Sequence, residues 1–137
     1  MDYKTDRLYE DLKAAVPQGV DCYFENVGGE VMDTVFRLLN AFSRVALCGL
    51  VSDYNASEPY ATKTIAALLV NRVKLQGFIV FDRPDLYARA VAQLAKWVAE
   101  GKLKYHETVA EGLANAPKAF IGMLKGANLG KQLVKLT

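Results

Sequence analysis

Hydrogen-bonding residues and glycines follow each long apolar run in this 137-residue sequence. Asn26 and the pair Gly28-Gly29 come after the run Val20 to Phe24, and "CGLVSDY" closes a second run with Ser52, Asp53 and Tyr54. A third run, in "LQGFIVFD", stops at Asp82. Amide, hydroxyl and phenol groups can hold a ligand, and glycine lets the backbone approach it closely. The question is whether the fold brings these positions together.

Other reactive side chains lack the spacing that chemistry requires. Cys22 and Cys48 lie far apart in apolar runs without a CxxC pattern or a nearby histidine, so the sequence predicts two reduced, buried thiols and no metal site. His106 is the only histidine and has no partner pattern, so we expect a structural or surface role for it.

Composition excludes several classes of protein. Basic and acidic residues are interleaved and the formal net charge is only +2, which argues against nucleic-acid binding. No apolar run approaches the roughly 18 to 20 residues needed to span a bilayer, and the polar start is unlike a secretory signal. We therefore expect a globular cytoplasmic protein that does not bind a membrane.

The chain alternates between helical and extended patterns. Helical spacing around Leu8 to Val16 precedes the strand Val20 to Phe24, and a helix through Leu38 and Leu39 precedes the strand "RVALCGL". A further helix leads to a strand over "VKLQGFIVFD", and the longest helix runs from Leu86 to about Glu100. The final predicted elements are a strand in "YHETVAEG", a helix in "APKAFIGMLKG" and a strand in "KQLVKL".

This alternation predicts an α/β fold with a parallel sheet flanked by helices. Parallel sheets bind ligands at the carboxyl ends of their strands, so Asn26, the "CGLVSDY" turn and the end of "GFIVFD" are expected along one rim. The alternative is that each glycine is an ordinary turn residue.

The sequence lacks the Gly-rich turn that grips a dinucleotide pyrophosphate. "NVGGE" has the wrong glycine spacing, and "GANLG" comes after the sheet has ended. The chain therefore corresponds to the second half of a nucleotide-binding domain. An uncovered apolar strand edge, at Val20 to Phe24 or at "LQGFIVF", would favour self-association.

Five blocks in register carry a family resemblance: "DCYFENVGGE", "VALCGLVSDYN", "LQGFIVFD", "KWVAEGKL" and "GMLKGANLGKQLVKL". They closely resemble the C-terminal half of zinc-independent medium-chain dehydrogenase/reductases, in the branch of prostaglandin reductase, leukotriene B4 12-hydroxydehydrogenase and 2-alkenal (curcumin) reductase. The resemblance implies that residues 1–101 form the second half of a Rossmann-type NADP-binding domain. Residues 102–137 would be a strand-helix-strand segment that returns to the catalytic domain.

The resemblance also implies an activity. Family members use NADPH, without a metal, to reduce the carbon–carbon double bond of α,β-unsaturated aldehydes or ketones, and they commonly form dimers through the last strand of this sheet. The expected partners are an enone or enal and a second copy of the chain. Without the preceding half, this chain alone is expected to be inactive. The alternative is a non-enzymatic half-domain that self-associates or binds a partner.

The family's site residues carry over to matching positions here. Tyr3 would lie near the 2′-phosphate, Asn26 beside the cofactor, and Asn128 at the nicotinamide. The loop along the cofactor would be Cys48, Gly49, Leu50, Val51, Ser52, Asp53 and Tyr54, and the strand end at the carboxamide Phe78, Ile79 and Val80. Glu25 stands where the family commonly has Asp, and Asp53 is at a variable position that could tune substrate choice.

Tyr54 is the residue to which the resemblance assigns chemistry. A neutral phenol at the substrate carbonyl would hydrogen-bond the developing enolate more strongly than the ground-state ketone. Alternative roles remain open at three positions. Tyr54 could be only an aromatic wall of the pocket, and Asn26 and Asn128 could be local turn caps.

Overall fold

The computed structural model describes residues 6–137, and contacts divide the chain into two compact units. The first ends at Asp82, and the second is Arg83–Thr137. Both are built from parallel strands and helices, which confirms the predicted α/β class. The division groups the longest helix with the later elements. The predicted boundary at residue 101 concerns the domains of a longer protein and stays a prediction.

The first unit contains a three-stranded parallel sheet in the order β1-β2-β3. Glu25 pairs with Leu47 and Leu47 with Gly77, so the carboxyl ends of the three strands are level. Its elements are α1 (Leu8–Ala15), β1 (Val20–Glu25), α2 (Gly29–Phe36), β2 (Leu39–Leu47), α3 (Ile65–Val70) and β3 (Lys74–Gly77), with 3₁₀ turns at Val51–Asp53 and Val80–Asp82.

The hydrophobic core of this unit lies on one face of the sheet. Phe36 and Val45 are almost completely buried there, at 1% and 2% exposure. The other buried members are Met32, Val35 and Leu39, and partly buried Leu12, Val20, Tyr23, Leu50, Ala67, Leu68 and Val73 pack against them. Because α1, α2 and α3 all contribute to this cluster, their packing fixes the sheet from that side.

The opposite face of the sheet is open in the first unit. It borders a concavity of about 560 Å³, and the residues along it include Cys22, Phe24, Arg44 and Lys74. Both cysteines are free thiols, as predicted, but both are exposed. The prediction that they are buried is therefore wrong. For Cys22 the reason is that alternate strand residues face opposite sides of a sheet, and its side is uncovered here.

Three element boundaries differ from the sequence prediction. The helix α2 ends at Phe36 because Leu39 already pairs with Val20 and begins β2. Phe42 then adopts φ 64° in the irregular stretch before the pairing resumes at Arg44. The strand β3 stops at Gly77, and α3 is shorter than the predicted helix.

The second unit begins with α4 (Pro84–Ala99) and continues as a strand-helix-strand segment. Its parts are β4 (Glu107–Glu111), a 3₁₀ turn at Leu113–Asn115, α5 (Ala116–Leu124) and β5 (Lys131–Lys135). The two strands are parallel, with Glu107 opposite Lys131. This confirms the predicted strand-helix-strand order, while the assignment of this segment to a catalytic domain stays a prediction. Within residues 6–137, no helix has both the length and the apolar character required to cross a lipid bilayer.

A buried carboxylate ties α2 to the segment before α3. Asp33 accepts hydrogen bonds from the Tyr60 hydroxyl (3.0 Å), the Lys63 amide (2.9 Å), and both the amide and the hydroxyl of Thr64. Burial raises the pKa of Asp33, but the hydrogen bonds from Thr64, Lys63 and Tyr60 outweigh this effect and hold the pKa below its ordinary value of 3.8. The ionised form therefore stabilises the fold.

Replacing Asp33 with Asn should destabilise the first unit by about 1 to 3 kcal/mol at pH 7, because a neutral amide accepts more weakly and has only one acceptor oxygen. Because folding lowers the pKa of Asp33, its carboxylate stabilises the fold at pH values above 3.8. This contribution is lost as the pH falls from 3.8 through the lower pKa of the folded state. The difference in the free energy of unfolding between wild type and Asp33→Asn should therefore be smaller at pH 3 than at pH 7. Urea unfolding, followed by the amide NMR signals of residues 20–47, measures this free energy.

Asp11→Asn is the matched control. Asp11 pairs with Arg7 on the surface at 3.7 Å, and such pairs contribute about 0 to 1 kcal/mol. Equal losses in the two variants, or a difference that does not change with pH, would contradict the role assigned to Asp33.

Candidate functional site

Two loops meet at the level carboxyl ends of β1 and β2. The amides of Cys48 and Gly49 donate to the carbonyl oxygen of Glu25 at 2.8 and 3.3 Å. The amide of Val51 donates to the carbonyl of Asn26 at 3.1 Å, and that of Ser52 to the carbonyl of Val27 at 2.8 Å. The turn 26–28 and the loop 48–54 are thus joined by consecutive backbone hydrogen bonds.

The side chain of Glu25 lies beneath this junction and is fully buried. Its carboxylate accepts hydrogen bonds from the amides of Val27 and Gly28 and from the Tyr23 hydroxyl, the last at 2.7 Å. Burial, and then the hydrogen bond to Glu25 and its charge, raise the pKa of Tyr23 above its ordinary value. Tyr23 therefore stays protonated and remains a donor at neutral pH.

Asn26 and Tyr54 converge over Gly49. A Cβ atom placed on Gly49 would stand 2.6 Å from Oδ1 of Asn26 and 3.2 Å from the phenol oxygen of Tyr54. The two polar groups therefore point into the same small space, and a side chain at position 49 would have to displace them. The structure brings together the amide and the phenol that the sequence placed at the ends of different strands.

A cavity of about 510 Å³ is lined by Tyr54 and Gly49 but not by Asn26. It lies at the ends of β2 and β3, and six of the predicted site residues line it. Those six are Cys48, Gly49, Leu50, Tyr54, Phe78 and Ile79, and the remaining lining residues are Leu47, Gly77 and Asp82. The larger concavity on the open sheet face includes only Phe78 among the predicted residues. We therefore take the 510 Å³ cavity as the candidate site.

The other three loop residues do not line the cavity. Val51, Ser52 and Asp53 form a 3₁₀ turn, and Asp53 accepts hydrogen bonds from the Ser52 hydroxyl at 3.1 Å and the Tyr60 amide at 3.3 Å. Gly28 and Gly29 have positive φ, and a Cβ on Gly28 would lie 2.9 Å from the Ser52 hydroxyl. Glycine is favoured there because residues with side chains rarely adopt positive φ.

Three further predicted site residues are Val80, Asn128 and Tyr3. Val80 begins a 3₁₀ turn, is 58% exposed, and does not line the cavity. Asn128 belongs to the second unit, where its amide donates to the carbonyl of Gly130 at 2.8 Å, a local bond of the kind that turn capping makes. Tyr3 lies outside the described residues. The cofactor roles of all three stay predictions.

Sequence reasoning missed the importance of Glu25, which it treated only as a variation on the family's Asp. An acidic residue that ends an apolar strand and precedes Asn-Val-Gly-Gly was the available signal. A carboxylate there can accept the amides two and three residues later, as Asp and Asn do in turns. Among residues 6–137, no three His, Cys, Asp or Glu side chains are grouped so as to hold a metal ion.

Comparison with known proteins gives a consistent family. The sequence profile of the family described as "Zinc-binding dehydrogenase" matches residues 1–134. Prostaglandin reductase 1 of Bos taurus is 45% identical over an alignment of 138 positions that covers 98% of this chain and 42% of the relative. The NADPH-dependent curcumin reductase of Escherichia coli K12 is 42% identical over an alignment of 142 positions that covers 99% of this chain and 41% of the relative.

The fold is found in a solved structure as well. CurA from Vibrio vulnificus, crystallised in complex with NADPH, superimposes with a TM-score of 0.88 at 44% identity, over 100% of this chain and 42% of CurA. The chain thus spans about two fifths of the length of the relatives it matches. These matches confirm the resemblance to the prostaglandin and curcumin reductase branch. The chain belongs to the zinc-binding dehydrogenase family.

Proposed function

We propose that this chain supplies the second half of the cofactor-binding domain of an NADPH-dependent oxidoreductase. The reaction is reduction of the carbon–carbon double bond of an α,β-unsaturated aldehyde or ketone, without a metal. One observation carries the proposal: Asn26 and Tyr54 present an amide and a phenol above Gly49, at the carboxyl ends of parallel strands. Relatives named prostaglandin reductase and NADPH-dependent curcumin reductase support it.

The residues fit a flat, neutral ring such as nicotinamide. Gly49 lets the ends of the Asn26 and Tyr54 side chains approach the backbone, and the cavity at Gly49 and Tyr54 is also lined by the apolar side chains Leu50, Phe78 and Ile79. Asn26 adds hydrogen-bonding capacity without charge. In this proposal Asn26, the loop 48–54, Phe78 and Ile79 hold the cofactor, and NADPH supplies the hydride.

Tyr54 then acts on the substrate. Its hydroxyl donates a hydrogen bond to the substrate's carbonyl oxygen, where negative charge develops as the β-carbon is reduced. A hydrogen bond that strengthens as the enolate forms stabilises the transition state more than the ground state. Tyr54 is 70% exposed, so its hydroxyl is accessible to a ligand entering from solvent.

The whole activity belongs, in this proposal, to a longer protein. The relatives extend well beyond the region that this chain matches, and a Gly-rich pyrophosphate-binding turn is not found in its sequence. Residues 1–101 and 102–137 would then be parts of the cofactor-binding and catalytic domains. We also infer a dimer that forms through an edge of the sheet, since both β1 and β3 are edge strands in the first unit. Cytoplasmic location stays a prediction.

The chain alone should bind NADPH weakly, with a Kd above about 100 µM, because the pyrophosphate has no Gly-rich turn to grip it. Isothermal titration calorimetry on the 137-residue chain measures this affinity. A Kd of a few micromolar or below would show that the chain grips the pyrophosphate by other residues.

Tyr54→Phe, made in a full-length protein that contains this chain, should lower kcat for enone reduction by about 10- to 100-fold, because the oxyanion loses a donor. The Kd for NADPH should change less than about twofold, since the phenol acts on the substrate. Stopped-flow turnover and fluorescence titration measure the two quantities.

Tyr87→Phe is the matched control, because Tyr87 is also an exposed tyrosine but lies on α4, in the second unit. It should leave kcat unchanged. If Tyr54→Phe also leaves kcat unchanged, Tyr54 is a wall of the pocket and not its hydrogen-bond donor.

A further inference from the structure

Glu25 presents a buried charge that the proposed reaction does not use. Its side chain has no exposed surface, and all its described partners are neutral donors: two backbone amides and the Tyr23 hydroxyl. Burying a carboxylate is costly unless hydrogen bonds replace the lost water. Here three hydrogen-bond donors replace the lost water, and two of them lie in the turn that carries Asn26. The carboxylate therefore stabilises the backbone conformation of that turn.

We propose that Glu25 is a positioning residue, whose carboxylate orients Asn26 and Tyr54 toward each other above Gly49. This inference rests on the proposed function of that pair. Glu25 touches neither substrate nor cofactor in this proposal. It acts through the backbone of the two loops.

The first connection is the turn itself. The carboxylate accepts hydrogen bonds from the amides of Val27 and Gly28, which belong to the two peptide groups immediately after Asn26. Gly28 has φ 79°, a conformation that side-chain-bearing residues rarely adopt. Hydrogen bonds to an ionised acceptor are about twice as strong as neutral ones, so the charge holds the turn in this conformation.

The second connection runs from the turn to Tyr54. The carbonyls of Asn26 and Val27 accept the amides of Val51 and Ser52, and the amide of Tyr54 then donates to the carbonyl of Val51 at 3.3 Å. The carbonyl of Glu25 itself accepts the amide of Gly49. Any rotation of the turn would therefore shift the loop that carries Tyr54.

Tyr23 holds the carboxylate from the other side. Its hydroxyl donates to the second carboxylate oxygen, Oε2, while both amides donate to Oε1. Every partner of Glu25 is thus a donor, and a side chain with one acceptor oxygen cannot satisfy them in the same way. A methionine of similar size satisfies none of them. An aspartate at this position can still accept the amides two and three residues later.

The test is the nuclear Overhauser effect between the Gly49 α-proton and the Tyr54 ring in the isotope-labelled 137-residue chain, without cofactor. We expect a strong signal in the wild type, because a Cβ on Gly49 would lie only 3.2 Å from the phenol oxygen. Its intensity should fall at least twofold in Glu25→Gln and be lost in Glu25→Met, while Glu25→Asp should retain it.

Leu39→Ala controls for loss of stability. Leu39 is a buried core residue at the start of β2, at the opposite end of the strand from the loop 48–54. This variant should lower Tm and keep the signal. If Glu25→Gln keeps the full signal, or if Leu39→Ala loses it as Glu25→Gln does, the positioning role is overturned. If Glu25→Met does not fold, the signal intensity in Glu25→Gln still tests the positioning role.

Activity separates this inference from the proposed function. In a full-length protein, Glu25→Gln should lower kcat about tenfold, with the KM for NADPH changed by less than about threefold, and Glu25→Asp should restore most of kcat. A wild type that reduces no enone would refute the proposed function and leave the NMR result standing. An active enzyme in which Glu25→Gln has normal kcat would refute the positioning role alone.

Discussion

The main-chain carbonyl of Glu25 receives the amides of Cys48 and Gly49, and the candidate site depends on this junction. It can form because Glu25, Leu47 and Gly77 are in register at the ends of three parallel strands. The backbone hydrogen bonds of the sheet therefore continue beyond its last residues and align the turn 26–28 with the loop 48–54. Asn26 and Tyr54 meet over Gly49 as a consequence.

Two buried carboxylates organise the same unit in different ways. Asp33 joins α2 to the segment before α3, through three residues that lie about 30 positions away in sequence. The described partners of the Glu25 carboxylate are near it in sequence, and it shapes a turn. The described donors to both carboxylates are neutral amides and hydroxyls. Each carboxylate therefore stabilises a particular backbone geometry through directional hydrogen bonds and not through an ion pair. The first supports the fold, and the second supports the site.

Much of the fold could be predicted from the sequence because apolar runs and helical spacing report burial. The strands around Val20 and Val45 and the helix at Pro84 were identified this way, and the strand-end rule located Asn26 and Tyr54. The extent of β2 could not be predicted, since Leu38 and Leu39 continue the apolar spacing of α2 until strand pairing takes over at Leu39. The wrong prediction of burial for Cys22 has a similar cause, because exposure depends on which face the helices cover. Glu25 was missed because two of the three donors to its carboxylate are backbone amides, so only its position before Asn-Val-Gly-Gly could have indicated its role.

In the proposed function, the cavity lined by Tyr54 receives the nicotinamide end of the cofactor. The most direct measurement is a titration of the ¹⁵N-labelled chain with NADPH at millimolar concentrations, read as chemical-shift changes of each backbone and side-chain amide. We predict that the changes concentrate at the Asn26 side chain, the amides of residues 48–54, and Phe78 and Ile79. Changes centred instead on Cys22, Arg44 and Lys74, on the open sheet face, would contradict the claim, as would a spectrum that NADPH does not change.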